Sequence, residues 1–378
     1  MNFINKNKGI SLYIHIPFCK KKCLYCDFPS YTNSENLMNS YAEALCCEIY
    51  EAVKNKKIKT IFIGGGTPTY LSLDAWEKIK NTILKINKDE NIEFTVECNP
   101  DSLTMEKLLL FKSMGVNRLS IGLQSFQNKL LKELGRIHDV KQFEEAYNNA
   151  RKLNFNNINI DIMFGLPKQS IKDFKETLQA VIKLKPDHIS SYGLIIEEGT
   201  AFYKNSKELE LPQEDDEREM YHIAIELLKK YGYNQYEISN FSLPGFRCRH
   251  NLTYWNLDDY IGCGAAAHSF VDGIRYNNSK DINEYIKLIN INGNAEIEEY
   301  KNTDKDFIEE FMFLGLRKIE GISKIEFFQR FDMNINDVYE KTIKKHIQNS
   351  LLIDDGNNIK LTSKGIELSN TVMSDFIL

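Results

Sequence analysis

The sequence predicts an α/β protein, an incomplete (β/α)6 barrel followed by a smaller winged-helix-like α+β domain. Three observations carry that expectation. Short β-branched runs recur six times between residues 11 and 196, each followed by apolar residues at helical spacing. Several runs are nearly continuous in apolar residues, as strands buried on both faces are, which implies parallel pairing. The chain's 378 residues exceed the length at which one core usually keeps growing, so an appended second domain is expected.

The runs are SLYIHI (11–16), TIFIGGG (60–66), EFTVECN (93–99), RLSIGLQ (118–124), INIDIMFG (158–165) and HISSYGLII (188–196). Between them, 36–56, 73–87, 104–114, 139–154 and 170–184 read as helices, with Ser34, Ser72, Ser102 and Ser170 near their starts. Beyond 200 the alternation weakens into a polar helix near 214–231, a strand-like YNQYEISNF and an aromatic, glycine-bearing stretch to about 276. A charged connector, EIEEYKNTDKD, follows. The tail reads helix, helix (323–330), helix (335–348), two short strands flanking DDGNN, and a helix from Ser363, the order of a winged-helix module. The expected divisions are 1–240, 241–303 and 304–378. In barrels of this kind chemistry sits at the carboxyl ends of the strands.

Apolar residues at 42% and charged residues at 27% are ordinary for a globular chain. A formal charge of −5 provides no basic field for gripping a nucleic-acid backbone, so a small-molecule partner is expected and nucleic acid is not. No run approaches the roughly 18 apolar residues of a membrane span, and the start lacks a secretory apolar stretch. A cytoplasmic protein is therefore expected. There, eight cysteines do not form a disulfide framework, and clustered ones are better understood as metal ligands.

Cys19, Cys23 and Cys26 stand just after the first strand in HIPFCKKKCLYCDFPSY, with the spacing C-x3-C-x2-C. Three thiolates on one short loop can hold three corners of a [4Fe-4S] cubane and leave one iron open. The open iron can chelate the amino and carboxylate groups of S-adenosylmethionine (SAM), whose sulfonium is then cleaved by an electron from the cluster. A zinc site is the competing possibility, but structural zinc normally shows a second ligand pair. None is present: Cys46 and Cys47 are adjacent, and Cys98, Cys248 and Cys263 are isolated. Cys46, Cys47 and Cys98 are expected to be buried small hydrophobes.

Other strand ends carry polar groups. GGGTPT (64–69) follows the second run, where glycines admit close backbone approach to a ligand. Glu97 ends the third run, Gln124 the fourth, and Asp161 lies in the fifth. Singly each fits ordinary turn chemistry; jointly they describe a pocket. Arg136 offers a fixed positive charge to a carboxylate, against the default of a surface ion pair.

YIHIPFCxxxCxYCDF, GGGTPT, ECNPD, IGLQSF, DIMFGLP and RHNLTYW together resemble the HemN/HemW group of radical SAM proteins, over most of the chain including the tail. The resemblance implies cluster ligation by Cys19, Cys23 and Cys26, and SAM contacts from Tyr13, Gly65, Gly66, Thr67 and Glu97. A second set of SAM-contacting positions in the family matches Tyr25, Gln124, Arg136 and Asp161. The coproporphyrinogen-oxidising HemN branch has a further cysteine two residues after the third ligand and a long N-terminal extension. Here Phe28 holds that position and Tyr13 comes early in the chain. His250, Asn251, Tyr254 and Trp255 match the HNxxYW signature of the HemW branch, whose members are regarded as heme chaperones.

A heme carrier needs an axial ligand beside an apolar wall. Cys248, His250, Tyr254, Cys263 and His268 are candidates, with Trp255, Tyr260 and Phe270 nearby, and His250 and Tyr254 are singled out. The alternative is that His250, Tyr254 and Trp255 tie the segment to the barrel. The resemblance thus implies a heme chaperone that binds the cluster, SAM and heme, and works with an electron donor and a heme-accepting protein. SAM cleavage is compatible with that role. Oxygen-independent coproporphyrinogen III dehydrogenase is the second function, and another radical SAM reaction on a porphyrin-like substrate the third. DNA binding by the winged-helix tail is disfavoured because Asp337 and Glu340 interrupt the lysines of its candidate recognition helix.

Overall fold

The computed structural model describes residues 9–378. The first eight, where the barrel domain was expected to begin and a leader was read as lacking, lie outside the described residues.

Six strands, β1 (Ile10–Ile16), β2 (Ile58–Gly65), β3 (Lys88–Cys98), β4 (Arg118–Gln124), β5 (Ile158–Phe164) and β6 (His188–Gly193), lie side by side in chain order and pair in parallel. Their alternating buried residues, such as Leu12, Ile14, Ile63, Val96, Ile121 and Ile160, face helices Met38–Ala52, Leu73–Ile83, Met105–Met114, Val140–Lys152 and Ile171–Leu184. The opposite set points into the barrel.

Local signals start two of these helices where expected and fail at two others. Ser72 Oγ accepts from Ala75 N, and Ser170 closes a capping box with Asp173. Ser34 precedes a short 3-10 turn that it does not cap. Ser102 is not a cap either: Thr104 caps Met105–Met114, and the Ser102 hydroxyl bonds instead to Thr69 Oγ1 at 2.8 Å.

The sheet runs beyond the six strands on both sides. YNQYEISNF is a hairpin and not one strand: β7 (Asn234–Glu237) and β8 (Asn240–Ser242) pair with each other, and β8 runs antiparallel to β6. At the other edge β9 (Tyr260–Cys263) pairs parallel to β1, followed by antiparallel β10 (His268–Val271), β11 (Ile274–Asn278) and β12 (Glu296–Lys301). The expected connector EIEEYKNTDKD is therefore largely an edge strand. Residues 241–303 extend the barrel's own twelve-stranded sheet.

Helices Asp304–Gly315, Lys324–Phe331 and Ile335–Gln348 pack with a small sheet of β13 (Ile322–Ser323), β14 (Leu352–Asp354) and β15 (Asn358–Leu361), in the order β13-β15-β14. This module has its own core around Phe311, Phe327, Phe331 and Leu352. It is docked on the barrel through Arg317, 4.4 Å over the Trp255 ring, and Lys318, whose Nζ donates to Asn256 Oδ1 at 2.8 Å. Arg275 forks onto Glu310 at 2.9 and 2.6 Å. Among the described residues no helix is long and apolar enough to cross a membrane.

Candidate functional site

The three cysteines lie on a loop that backbone hydrogen bonds hold at its ends and at its middle. Tyr31 N donates to Pro17 O at 2.7 Å and Cys19 N to Tyr31 O at 2.9 Å, closing the loop's ends on each other. Its middle is pinned where Leu24 N donates to Leu134 O at 3.0 Å and Phe202 N to Leu24 O at 2.9 Å. Beneath it, Leu24 and Tyr25 rest on a small core of Leu130, Leu134, Met163, Leu166 and Phe202.

GGGT lies directly against this loop. Gly66 N donates to Ile16 O and Thr67 N to Phe18 O, both at 2.8 Å, and Thr67 Oγ1 stands 3.3 Å from Cys19 Sγ. A Cβ on Gly66 would come 2.9 Å from Phe18 O and 3.1 Å from Cys19 Sγ, closer than atoms can pack. Gly65 adopts φ +110°, a conformation that disfavours other residues, and its N–H donates to Glu97 Oε2 at 3.2 Å.

Gln124 enters the cavity through an irregularity. The β4–β5 register slips between Gly122 and Gln124, and Gln124 takes φ +68°. Such bulges re-aim side chains at strand ends. Arg136 is not the surface ion pair that was the default: it donates through Nη1 to Cys23 Sγ at 3.6 Å and through Nη2 to Gly122 O at 2.9 Å and to Asn99 Oδ1. Its Nε is buried without a partner.

Together these groups surround one cavity of ≈ 410 Å³ at the carboxyl ends of the strands. Cys19, Cys23 and Cys26 line it, as do Tyr25, Gly65, Gly66, Thr67, Glu97, Gln124, Arg136 and Asp161. Tyr13, His250 and Tyr254 do not. They line a second, lower chamber of ≈ 310 Å³, which shares Phe28, Gly65, Glu97, Ser120, Asp161 and Tyr192 with the first.

The donor set fits a cluster. Three thiols carried on one short loop line the same cavity, the set that three corners of a cubane need. Burial pushes the Cys19 thiol up and the Cys26 thiol to about 11. Both must lose protons to ligate iron, so assembly releases protons.

The lower chamber is polar on one wall and aromatic on the other. Asp161 accepts from Ser120 Oγ at 3.0 Å and Asn159 Nδ2 at 2.8 Å. Across from them, Phe62 stacks with His250 at 5.1 Å between ring centres. His250 is buried with both ring nitrogens engaged, Nδ1 with Thr60 Oγ1 at 2.8 Å and Nε2 with Tyr254 Oη at 2.9 Å. Burial lowers its pKa to about 3, so the ring is neutral. Cys248 and Cys263 are fully buried, and His268 stands exposed at the start of β10. Of the cysteines expected to be buried, Cys98 is, Cys46 is half-buried and Cys47 is exposed.

Sequence reasoning missed Asn99, Ser120, Asn159, Tyr192 and Arg118. A signal existed for Arg118: it is the one charged residue in the largely apolar run RLSIGLQ. The strand period of two places Arg118, Ser120, Gly122 and Gln124 on a single interior face.

Glu97 supplies a test of this geometry in the unliganded chain. Burial, and then the neighbouring Asp161, push its carboxyl up to about 8. Between about pH 4.5 and 8 the unfolded chain ionises this group while the folded chain keeps its proton, so stability falls as pH rises across that window. Glu97→Gln keeps the acceptor for Gly65 N–H and removes the titration. The variant is expected to show a melting temperature that declines less between pH 5 and pH 8 than that of the wild type. Parallel melting curves across that range would contradict the assignment.

The chain resembles known proteins over most of its length. A model of the radical SAM superfamily matches residues 13–181 and one of the HemN C-terminal domain matches residues 302–368. The heme chaperone HemW of Bacillus subtilis is 39% identical, covering 97% of this chain and 99% of its own. HemW of Lactococcus lactis is 38% identical, covering 98% of each, and HemW of Escherichia coli 34% identical, covering 97% and 98%. Among solved structures, coproporphyrinogen III oxidase (HemN) from Escherichia coli, a radical SAM enzyme, superposes with a TM-score of 0.86 at 24% identity, over 98% of this chain and 90% of that one. That likeness establishes the fold.

Proposed function

This chain belongs to the HemW family of radical SAM proteins, and from that premise we propose that it is a heme chaperone that holds a [4Fe-4S] cluster and SAM in the upper cavity and delivers bound heme to an acceptor protein. The observation that carries the proposal is the convergence on one cavity of the three loop cysteines and eight of the nine expected SAM-contacting residues. Cys19, Cys23 and Cys26 are the cluster ligands. Gly65, Gly66 and Thr67 give SAM a backbone edge, and Glu97, Gln124, Arg136, Tyr25 and Asp161 give it polar partners. Tyr13 supports the set from below, its hydroxyl 2.9 Å from His15 Nδ1. When bound, the cluster and SAM would supply one-electron chemistry with an external donor. The chain's residues bind and orient the two groups and shield them from water.

For heme the proposal assigns His250 and Tyr254 on the aromatic wall of the lower chamber. Iron can take His250 Nε2 only in exchange for the Tyr254 hydroxyl, so ligation opens a buried hydrogen bond. His250→Ala is expected to weaken hemin binding about tenfold or more while leaving the cluster intact. Unchanged hemin titration of a folded variant would remove His250 from the site.

The function is tested by anaerobic reconstitution with iron and sulfide, then hemin titration followed by visible absorption, with coproporphyrinogen III as a parallel substrate. Cluster absorbance, stoichiometric heme binding and no decarboxylation are expected. Turnover of coproporphyrinogen without stable heme binding would move the chain to the oxidase branch. Phe28, which is 60% exposed at the mouth where that branch carries a cysteine, supports the expectation.

A further inference from the structure

Arg118 is a buried cation with no hydrogen-bonded partner among the described residues, although Glu93 and Asp161 act on it through their charge. It opens β4 at the floor of the barrel with 2% of its surface exposed and lines the lower chamber. Among the described residues none pairs with its guanidinium by a hydrogen bond or a salt bridge, and its Nε is sealed from solvent with no acceptor. The surrounding anions are committed elsewhere. Glu93 accepts from the backbone nitrogens of Arg249 at 2.8 Å and His250 at 2.9 Å, and Asp161 from Ser120 and Asn159. A guanidinium carries five donors in a planar fork and does not shed its charge, so burying it unpaired is costly.

The same chamber supplies the other half of a recognition site. Tyr13, Phe62 and His250 form a three-ring cluster, with ring centres 6.4 Å apart between Tyr13 and Phe62, 5.1 Å between Phe62 and His250 and 6.5 Å between Tyr13 and His250. A planar cationic fork facing aromatic rings suits a carboxylate carried on a flat conjugated body. Burial pushes the carboxyls of Asp161 and Glu97 up, while the guanidinium of Arg118 keeps its charge.

We infer that Arg118 anchors a carboxylate of the ligand taken by the lower chamber and, resting on the heme assignment above, that this carboxylate is a heme propionate. The anchor is separate from the cluster loop, since Arg118 does not line the upper cavity. A bidentate pair fills the fork that the protein leaves open.

The test titrates hemin and hemin dimethyl ester, whose propionates are blocked, into the full chain carrying its reconstituted cluster. Wild type is expected to bind hemin at least about tenfold more tightly than the ester. Arg118→Gln should erase that preference with cluster absorbance unchanged, and Arg118→Lys, which keeps the charge without the fork, should restore part of it. Equal affinity of the wild type for both compounds overturns the anchor and leaves heme binding standing. A full preference in Arg118→Gln also overturns it. Binding of neither compound by the wild type overturns the heme assignment itself. The wild-type comparison needs no substitution, so the inference stays testable if the glutamine variant does not fold.

Discussion

Cys23→Ser is expected to abolish the visible absorbance of a reconstituted [4Fe-4S] cluster, and Cys19→Ser and Cys26→Ser are expected to do the same. The three thiols share one cavity, and in the proposed site each would hold a different corner of the cluster. A serine oxygen is a harder and more basic donor than thiolate and does not replace it on such a centre. The apo fold should barely respond to the Cys23 change, because the loop is held by backbone bonds from Leu24 to Leu134 and Phe202 and from Tyr31 to Pro17. A half-buried thiol-to-hydroxyl change of this kind costs about 0.5 kcal/mol. The exposed Cys47 is the control, and Cys47→Ser should leave the cluster intact. SAM retention should fall at least about tenfold in Cys23→Ser, since the open iron is lost with the cluster. A Cys23→Ser protein that assembled a full cluster would overturn the ligand assignment. A variant that lost both cluster and fold would instead show that the loop depends on its metal, against the backbone bonding seen here.

The six barrel strands were legible because most of their residues are buried, and a run such as RLSIGLQ, buried on both faces, has no other place to go. The site residues were legible for a related reason: strand ends in a barrel converge, and the motifs stand at those ends. Strand β12 was not. All six of its residues are exposed, so EIEEYK has no buried face to impose a period of two, and it looks like a linker. Only its pairing with β11, from Ile274–Lys301 to Asn278–Glu296, makes it a strand. Ser102 and Thr104 are both good capping residues two positions apart, and packing against Thr69 decides which one caps. His250 was marked by its motif for either of two roles, and its hydrogen bond to Thr60 ties the segment to β2.

Glu48→Ala is expected to be the most destabilising single change away from the cavity. Glu48 lies on helix Met38–Ala52, 7% exposed, and accepts from Gly264 N at 2.7 Å, Tyr285 Oη at 2.6 Å and Asn278 Nδ2 at 2.5 Å. Those donors belong to the β9–β10 turn, to β11 and to the helix Ile282–Asn292, so one carboxyl fastens the sheet extension to the barrel. The turn has no room to rearrange: Gly264 sits at φ +106°, and a Cβ there would come 2.6 Å from both His15 O and Tyr41 Oη. Alanine leaves three buried donors unpaired, at a cost of about 3–5 kcal/mol, measurable as a fall in denaturation midpoint. Glu48→Gln keeps one acceptor but turns an amide N–H toward a donor, and should cost about 1–2 kcal/mol. Burial raises the Glu48 pKa in the folded chain. Above the ordinary glutamate range the unfolded state gains by ionising, and the wild type loses stability as pH rises while the alanine and glutamine variants do not. The gap between wild type and Glu48→Gln should therefore narrow from pH 5 to pH 8. A gap that widened over that range would mean that Glu48 is held as a carboxylate by its three donors, and that hydrogen bonding outweighs desolvation at this site.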